Sequence, residues 1–243
     1  MRPLSTQAGF GPIEMLVGLA IGLLLVMGIS EGVSRQRLNA RVQEELSRME
    51  DAGRFALFAL GRSIRQAGFR PNDSTPESAP FAADDTFHDG AVIGPGGSGT
   101  ASASTLRLRY WGLSDGTQTN CLGVSSKATS IQTEQWRLGQ ASLQCTALGT
   151  TQPLVPSVED LRFTLGLDND GDGNAELQLA PAAVPNWANV VSVRVYLRLQ
   201  SGEDGLTESP QPYEDADGRL VTPGDRRLRR AFTATVSVRQ SRS

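Results

Sequence analysis

Residues 10–30 read FGPIEMLVGLAIGLLLVMGIS, and this stretch decides how the rest of the chain is organised. It contains a single charged residue, Glu14. A helix of about 20 residues is long enough to cross the hydrocarbon core of a bilayer. The sequence therefore predicts a membrane-spanning helix over residues 10–30, preceded by a short polar segment, residues 1–9.

The bulk composition excludes several classes of function. A net charge of −3 and a pI of about 5.3 do not favour binding to nucleic acid. One histidine and two cysteines are too few soft ligands for a four-ligand zinc site without carboxylates, and a single histidine leaves little room for Ser-His-Asp catalysis. We expect no enzyme activity, no catalytic residue and no required cofactor.

Glu14 is the unusual residue of the apolar stretch. A carboxylate in lipid costs several kcal/mol unless it is paired or neutralised. Glu14 therefore either lies in the headgroup layer or has a partner. A cut between Gly9 and Phe10 would create an α-amine four residues from Glu14, where it could compensate the carboxylate. A conventional signal peptide fits poorly, because residues 27–30 lack a typical cleavage site and a charged helical run follows.

Residues 9–14, GFGPIE, and the apolar run after them resemble the prepilin signal of type IV pilins and type II secretion pseudopilins. The resemblance implies that a prepilin peptidase cuts after Gly9, that Phe10 becomes N-methylated, and that Glu14 guides assembly into a filament. Pro12 departs from the pattern, because Leu or a similar residue is common there. Proline is nevertheless tolerated in the first turn of a helix, where its missing N–H would be unpaired anyway.

The same resemblance implies a single-pass protein of the inner membrane, with a cytoplasmic N-terminus and a periplasmic domain. After assembly, the domain would belong to the pilus at the cell surface. A count of positive charges would favour the opposite orientation, since Arg2 precedes the span and Arg35, Arg37 and Arg41 follow it. The orientation therefore rests on the resemblance alone.

Residues 31–68 continue the helix beyond the membrane. Leu38, Val42, Leu46 and Met49 recur at helical spacing, and apolar residues become denser from position 55 onward. We expect this second half to pack on a folded domain. Gly53 and Gly61 weaken a helix by up to about 1 kcal/mol each, so they indicate either close packing or a bend.

The remaining residues, 69–243, predict a β-rich domain with two loops, residues 70–104 and 201–228. Four segments alternate apolar and polar residues with the period of half-buried antiparallel strands; they lie near positions 106–110, 136–138, 191–199 and 232–238. A long helix followed by antiparallel strands predicts an α+β fold in which the helix packs on a mostly antiparallel sheet.

Cys121 and Cys145 form an even pair, so an exported domain would most economically join them in a disulfide. A disulfide between these residues would close a loop of about 24 residues and, in the chain-entropy description, contribute about 3 kcal/mol to the free energy of unfolding. Two separate buried thiols are the alternative.

Residues 168–176 read DNDGDGNAE and resemble the first half of a calcium loop. Asp168, Asp170 and Asp172 alternate before a glycine, and Glu176 occupies the position of a further ligand. An EF-hand is excluded, because position 179 is Leu and no flanking helices are predicted. The two interpretations are therefore a Ca²⁺ site formed by these four carboxylates and a plain hairpin turn rich in Asp and Gly.

Three segments also resemble PilW-type minor pilins of the type IV pilus; they are residues 50–69 on the helix, residues 158–176, and residues 229–236. The resemblance implies a minor pilin that helps to initiate or assemble the pilus at the filament tip, with other minor pilins, the major pilin, prepilin peptidase and inner-membrane lipid as partners. A type II secretion minor pseudopilin and a calcium-dependent adhesin at the pilus tip remain the alternatives.

Overall fold

The computed structural model describes residues 11–71, 81–96, 103–127 and 129–239, with the side chains of residues 30–35 left out. The predicted processing residues Gly9 and Phe10 lie outside the described residues. By its contacts the chain divides into two compact units, Met1–Glu45 and Leu46–Ser243.

The first unit contains the beginning of a single long helix, α1, which extends from Pro12 to Gln66. The window Pro12–Ile29 has a mean hydropathy of 2.2 and none of it is buried against protein. At the start of the helix the Glu14 carboxylate accepts a hydrogen bond of 3.1 Å from the Gly11 N–H. Glu14 thus satisfies one of the backbone donors that every helix N-terminus leaves unpaired.

In the second unit, α1 buries one face in the core. Ala56, Leu60 and Ile64 follow one another at intervals of four residues, and all three are fully buried. This spacing places them on one side of the helix, as the apolar pattern predicted. The expectation that the second half of the helix packs on a folded domain is confirmed.

Two antiparallel sheets form most of this unit. The five-stranded sheet has the order β1-β2-β3-β4-β5, and the four-stranded sheet has the order β11-β8-β6-β7. The first sheet comprises β1 (Ile93–Pro95), β2 (Thr105–Gly112), β3 (Ser130–Gly139), β4 (Ser142–Ala147) and β5 (Thr150–Pro156). The second comprises β6 (Val158–Leu167), β7 (Leu177–Leu179), β8 (Val190–Gln200) and β11 (Arg229–Ser237). A ribbon of β9 (Tyr213–Glu214) and β10 (Leu220–Val221) and two short 3₁₀ turns, Pro181–Ala183 and Trp187–Asn189, complete the described elements.

The predicted α+β fold class is confirmed. The four segments with two-residue periodicity lie on β2, β3, β8 and β11. On β8, the residues Val193, Val195 and Leu197 point into the core while Arg194 between them is exposed. Such alternation is the expected result of burying one face of each strand.

The loop predicted over residues 70–104 is partly tied to the core. In its described portion, β1 pairs with β2, and the side chains of Phe81, Phe87 and Ala91 are buried. Arg109 of β2 is only 1% exposed and donates to the backbone oxygens of Phe81 and Ala91 at 2.8 and 2.7 Å. In a half-buried strand, alternation with Leu108 and Tyr110 would place Arg109 in solvent. The guanidinium is instead buried because carbonyl oxygens of this segment surround it.

The two glycines in the second half of α1 lie against β11. A methyl group added at Gly53 would overlap the ring of Phe232, whereas one added at Gly61 would lie 3.2 Å from the Arg65 Nη1 and 3.6 Å from Val236. Gly53 therefore allows a close approach of β11 that any larger residue would prevent.

We expect Gly53→Ala to lower the free energy of unfolding by about 1–3 kcal/mol, because overpacking outweighs the gain in helix propensity. Gly61→Ala is the matched control and should be neutral or stabilising by up to about 1 kcal/mol, since only the flexible end of Arg65 has to move. Denaturant unfolding of both variants in detergent measures the difference. Equal stability of the two variants would contradict the close approach at Gly53.

Candidate functional site

The predicted calcium loop is a hairpin connection between β6 and β7. The N–H of Glu176 donates to the carbonyl of Leu167 at 3.1 Å and closes the turn. Gly171 and Gly173 have φ values of 85° and 92°, a region that favours glycine. The backbone of this turn is therefore that of a hairpin connection, as the second interpretation of the sequence predicts.

The four predicted ligand residues converge within this turn. One carboxylate oxygen from each of Asp168, Asp170, Asp172 and Glu176 lies within 4.8 Å of the others. Calcium–oxygen distances of about 2.3–2.6 Å place opposite ligands at roughly this separation. Asp168 is buried while the other three residues are exposed, so a cation would be held between one fixed and three adaptable carboxylates.

Asp168 has a structural role as well. Its two carboxylate oxygens accept the backbone N–H groups of Gly171 at 2.6 Å and Gly173 at 2.7 Å. Glu176 accepts from the N–H of Asn169 at 2.9 Å. These bonds aim the carboxylates into the turn, and they are the kind of preorganisation that a hard cation requires.

An ion-pair network joins β6 and β11, which contain two of the segments that resemble PilW-type minor pilins. Glu159 on β6 bonds to Arg198 on β8 at 2.9 Å and accepts a forked pair of bonds from Arg229 on β11. Arg229 also forms two bonds to Asp225, at 2.7 and 2.9 Å. The guanidinium of Arg198 stacks on the ring of Tyr213 at 4.3 Å.

This network sets the charge states of its members. Burial raises the pKa of the Glu159 carboxyl, but hydrogen bonds from Arg229 and Arg198 outweigh burial and hold it below its ordinary value. Hydrogen bonding to Arg229 lowers the pKa of Asp225 to about 2. Other arginines near the start of β11 also bind within the domain: Arg227 donates to the backbone of Ser201, and Arg230 pairs with Glu50 of α1.

Comparison with known families supports the resemblance seen in the sequence. The family model described as Type IV Pilus-assembly protein W, or PilW, matches residues 124–240. The chain is PilW-like over these residues. The matched range contains the calcium-loop candidate and the Glu159 network, and it begins after the predicted motif on α1.

Comparison with solved structures finds pilin-like proteins. The type IV-like pilin TTHA1219 from Thermus thermophilus has 13% sequence identity and a TM-score of 0.47, with 78% of this chain and 95% of that chain covered. The GspK-GspI-GspJ complex of the enterotoxigenic Escherichia coli Type 2 Secretion System contains a chain with 18% identity and a TM-score of 0.36, with 77% and 96% covered. No curated protein matches this chain.

Cys121 and Cys145 form the predicted disulfide, with their Cα atoms 6.4 Å apart. Cys145 lies on β4 directly opposite Trp136 of β3, and Cys121 lies in the connection between β2 and β3. The bond therefore fastens this connection to the five-stranded sheet.

Sequence reasoning missed a buried carboxylate beside the disulfide, Glu134 of β3, which is 1% exposed. It accepts hydrogen bonds from the Ser63 hydroxyl of α1 at 2.7 Å, the Tyr110 hydroxyl of β2 at 2.9 Å and the Cys121 N–H at 2.9 Å. One side chain thus joins the helix, two strands and the disulfide loop. Glu134 lies on the same face of β3 as Trp136, and both side chains are buried. A charged residue at such a position gives no sign of burial in the sequence pattern.

Burial raises the pKa of the Glu134 carboxyl above its ordinary value of 4.5, although the bonds from Ser63, Tyr110 and Cys121 oppose the shift. Burial and the neighbouring Glu134 also raise the pKa of the Tyr110 hydroxyl. The folded domain therefore binds the Glu134 proton more tightly than the unfolded chain does. The corresponding stabilisation is fully present below pH 4.5 and is lost as the pH rises through the folded-state pKa.

We expect Glu134→Gln to remove this pH dependence, because the amide keeps an acceptor for Tyr110 and Cys121 and gains a donor for Ser63. Unfolding free energy measured from pH 4.5 upward should fall more steeply in the parent than in the variant. Glu134→Ala should lower the free energy of unfolding by about 2–5 kcal/mol, since it leaves the buried donors of Ser63, Tyr110 and Cys121 unpaired.

Glu208→Gln, at an exposed site, is the control for loss of one carboxylate. Parallel pH curves for the parent and Glu134→Gln would show that Glu134 does not titrate differently in the folded state.

Proposed function

We propose that this chain is a minor pilin that takes part in the initiation and assembly of a type IV pilus, at the filament tip. Prepilin peptidase removes residues 1–9, the new N-terminal Phe10 is methylated, and the apolar helix holds the protein in the inner membrane with its N-terminus in the cytoplasm. The match of residues 124–240 to the PilW family carries this proposal.

The described beginning of α1 supports the assembly step. Its large apolar side chains are exposed along the whole window Pro12–Ile29, so that they suit either lipid or the helices of other pilins. Moving between these two environments costs little for apolar side chains, because both are free of water. In this proposal, other minor pilins and the major pilin replace lipid around the helix during assembly.

Glu14 has a specific role in this mechanism. Its carboxylate bonds to the N–H of Gly11, the residue that follows Phe10. Cleavage after Gly9 would create an ammonium group on Phe10, four residues before this carboxylate in sequence. Ion pairing between them, within one chain or between neighbours, offsets the cost of a charge in lipid.

A type II secretion pseudopilin would share the same processing and the same helix. The PilW match favours the pilus, since it involves the domain and not the signal that both systems have in common.

Mass spectrometry of the mature N-terminus tests the processing step. We expect the chain to begin at Phe10 and to carry one additional methyl group. Gly9→Val should leave the leader attached, whereas Gly11→Ala, two residues away, should be processed as the parent is. An intact Met1 in the parent, or a cut near residue 30, would overturn the proposal.

We further propose that the Asp168–Glu176 turn binds Ca²⁺. The convergence of four carboxylates within 4.8 Å supports this, as does the fixed orientation of Asp168. The bound cation would offset the mutual repulsion of the carboxylates and stiffen an exposed tip of the domain. If the pilus tip adheres to a surface in a calcium-dependent way, we propose that this turn makes the contact.

Calorimetric titration of the full chain in detergent should show saturable Ca²⁺ binding. At a free Ca²⁺ concentration of about a hundredfold over Kd, the free energy of unfolding should rise by about 2–3 kcal/mol. Asp170→Asn should abolish the saturable heat, because it removes a ligand charge without loss of volume. Asp215→Asn is the control; Asp215 caps a similar turn through the N–H groups of Asp217 and Arg219. A parent that gives no saturable heat has no calcium site.

A further inference from the structure

Three of the four edges that the two large sheets have among the described strands are unsuited to pairing with another chain. The edge strands β1 and β7 contain only three residues each. The edge strand β5 contains Pro153 and Pro156, and its pairing with β4 shifts register between Leu143 and Gln144. Short strands, prolines and bulges are the usual means by which natural sheets prevent pairing at an edge.

The fourth edge, β11, lacks these features. It contains nine residues, Arg229–Ser237, and neither proline nor lysine is among them. Its pairing with β8 is regular along the whole strand, without a shift of register. β11 therefore presents a long, regular edge, which is the kind of edge that serves as a template for a further strand.

The hydrogen bonds at the two ends of β11 identify which backbone groups lie on its open side. The N–H of Val238 donates to the carbonyl of Val191, and the carbonyl of Leu228 accepts from the N–H of Ser201, so even-numbered residues bond to β8. The alternation of an antiparallel ladder then directs the N–H and C=O groups of odd-numbered residues outward. This outward row consists of Arg229, Ala231, Thr233, Thr235 and Ser237.

The outward row is accessible. Its four residues from Ala231 to Ser237 are all exposed. Among the residues that the structure describes, none forms a hydrogen bond to the outward backbone groups of these four. All four are uncharged, and threonine is favourable both in strands and in cross-strand pairs. The row therefore offers alternating backbone donors and acceptors to an added strand.

Arginines flank this edge on the side of α1. Arg230 pairs with Glu50, and Arg54 lies 3.9 Å from the same carboxylate, so that two guanidinium groups share one negative charge. The Arg65 guanidinium lies next to the point at which the helix faces Val236 of β11. Arg54 and Arg65 are both exposed. The edge is therefore uncharged along most of its outward row and positively charged on its flank.

We propose that the β11 edge binds an extended segment of a partner protein by strand addition, and that acidic residues of this segment pair with the flanking arginines. The segment runs antiparallel to β11. Its residues opposite the outward row bond to β11, and their side chains face solvent. The side chains of the residues between them face α1, where carboxylates meet Arg54 and Arg65.

A second copy of this chain fits the edge less well than a partner with acidic residues. Antiparallel pairing of two β11 edges would bring Arg54 and Arg230 of one copy towards Arg65 of the other, and like charges so placed repel each other. An acidic segment supplies the complementary charge instead. The proposal uses only contacts within the folded domain, so it does not depend on processing or on assembly into a pilus.

Binding of synthetic peptides to the full chain in detergent tests the strand addition. The probe is fluorescently labelled Asp-Thr-Val-Thr-Val-Thr-Asp, whose threonines lie opposite the outward row when its aspartates face the arginines. N-methylation of the central threonine removes an N–H that points at β11 and should weaken binding by about tenfold or more. N-methylation of a valine, whose N–H points to solvent, is the matched control and should leave the affinity within about twofold.

A peptide with lysine in place of both aspartates tests the role of the arginines. We expect it to bind weaker than the acidic peptide by about threefold or more. Arg54→Gln combined with Arg65→Gln should reduce this preference to less than about twofold. Arg219→Gln, at an exposed site in the turn between β9 and β10, is the control and should retain the preference.

Thr235→Pro tests the edge from the side of the protein, because proline removes an outward N–H while the bonds of β11 to β8 remain. This variant should bind the acidic peptide weaker than the parent by about threefold or more. Thr235→Val keeps the N–H and should bind as the parent does. If denaturant unfolding shows that Thr235→Pro does not fold, the comparison of the two N-methylated peptides decides.

Each contrary outcome overturns a stated part of the proposal. Equal binding of the two N-methylated peptides, or no saturable binding of the acidic peptide, would exclude strand addition at β11. Equal binding of the acidic and basic peptides would overturn the assignment of the arginines. A parent that sediments as a dimer in detergent, with a Thr235→Pro variant that sediments as a folded monomer, would show that a second copy occupies the edge.

Discussion

The buried face of α1 is the surface on which the rest of the domain depends. Leu60 and Ile64 are fully buried, and burial of such side chains contributes about 1.5–3 kcal/mol each. The same part of the helix meets both sheets: Ser63 bonds to Glu134 of the five-stranded sheet, and Gly53 lies against Phe232 of the four-stranded sheet. A helix that begins as a candidate membrane anchor thus ends as the centre of a folded core.

One carboxylate inside this core and another at its edge connect elements that lie far apart in sequence. Glu134 joins α1, β2 and the disulfide loop through three hydrogen bonds, and Glu159 joins β6, β8 and β11 through two arginines. Since the buried partners, such as Tyr110 and Arg198, would be left unpaired without these carboxylates, the contacts favour one arrangement of the strands as well as stabilise it.

The sequence predicted what periodicity and local chemistry encode. Alternation identified β2, β3, β8 and β11, while helical spacing identified the face of α1 that carries Leu60. It did not reveal β4, because four consecutive residues from Ser142 to Cys145 are buried and no alternation results. It did not reveal β5 either, since Pro153 and Pro156 are typical of loops and are tolerated here at the edge of a sheet. The acidic turn was visible as a motif, whereas the roles of Glu134 and Arg109 depend on distant partners that no local pattern contains.

The manner in which Arg109 is held has a consequence for variation between relatives. Its hydrogen-bond acceptors in residues 81–91 are the backbone oxygens of Phe81, Ala82, His88 and Ala91, and the Asp84 carboxylate lies 3.6 Å from its Nη1 atom. A carbonyl oxygen is present at every position whatever the side chain, so these four hydrogen bonds do not constrain the identity of the residues that make them, whereas the ion pair requires a carboxylate at position 84. Exposed residues such as Ala83 and His88, whose side chains do not contact Arg109, can therefore diverge while the segment keeps its path. These exposed side chains can change, in evolution or by mutagenesis, while the buried residues beneath them stay the same.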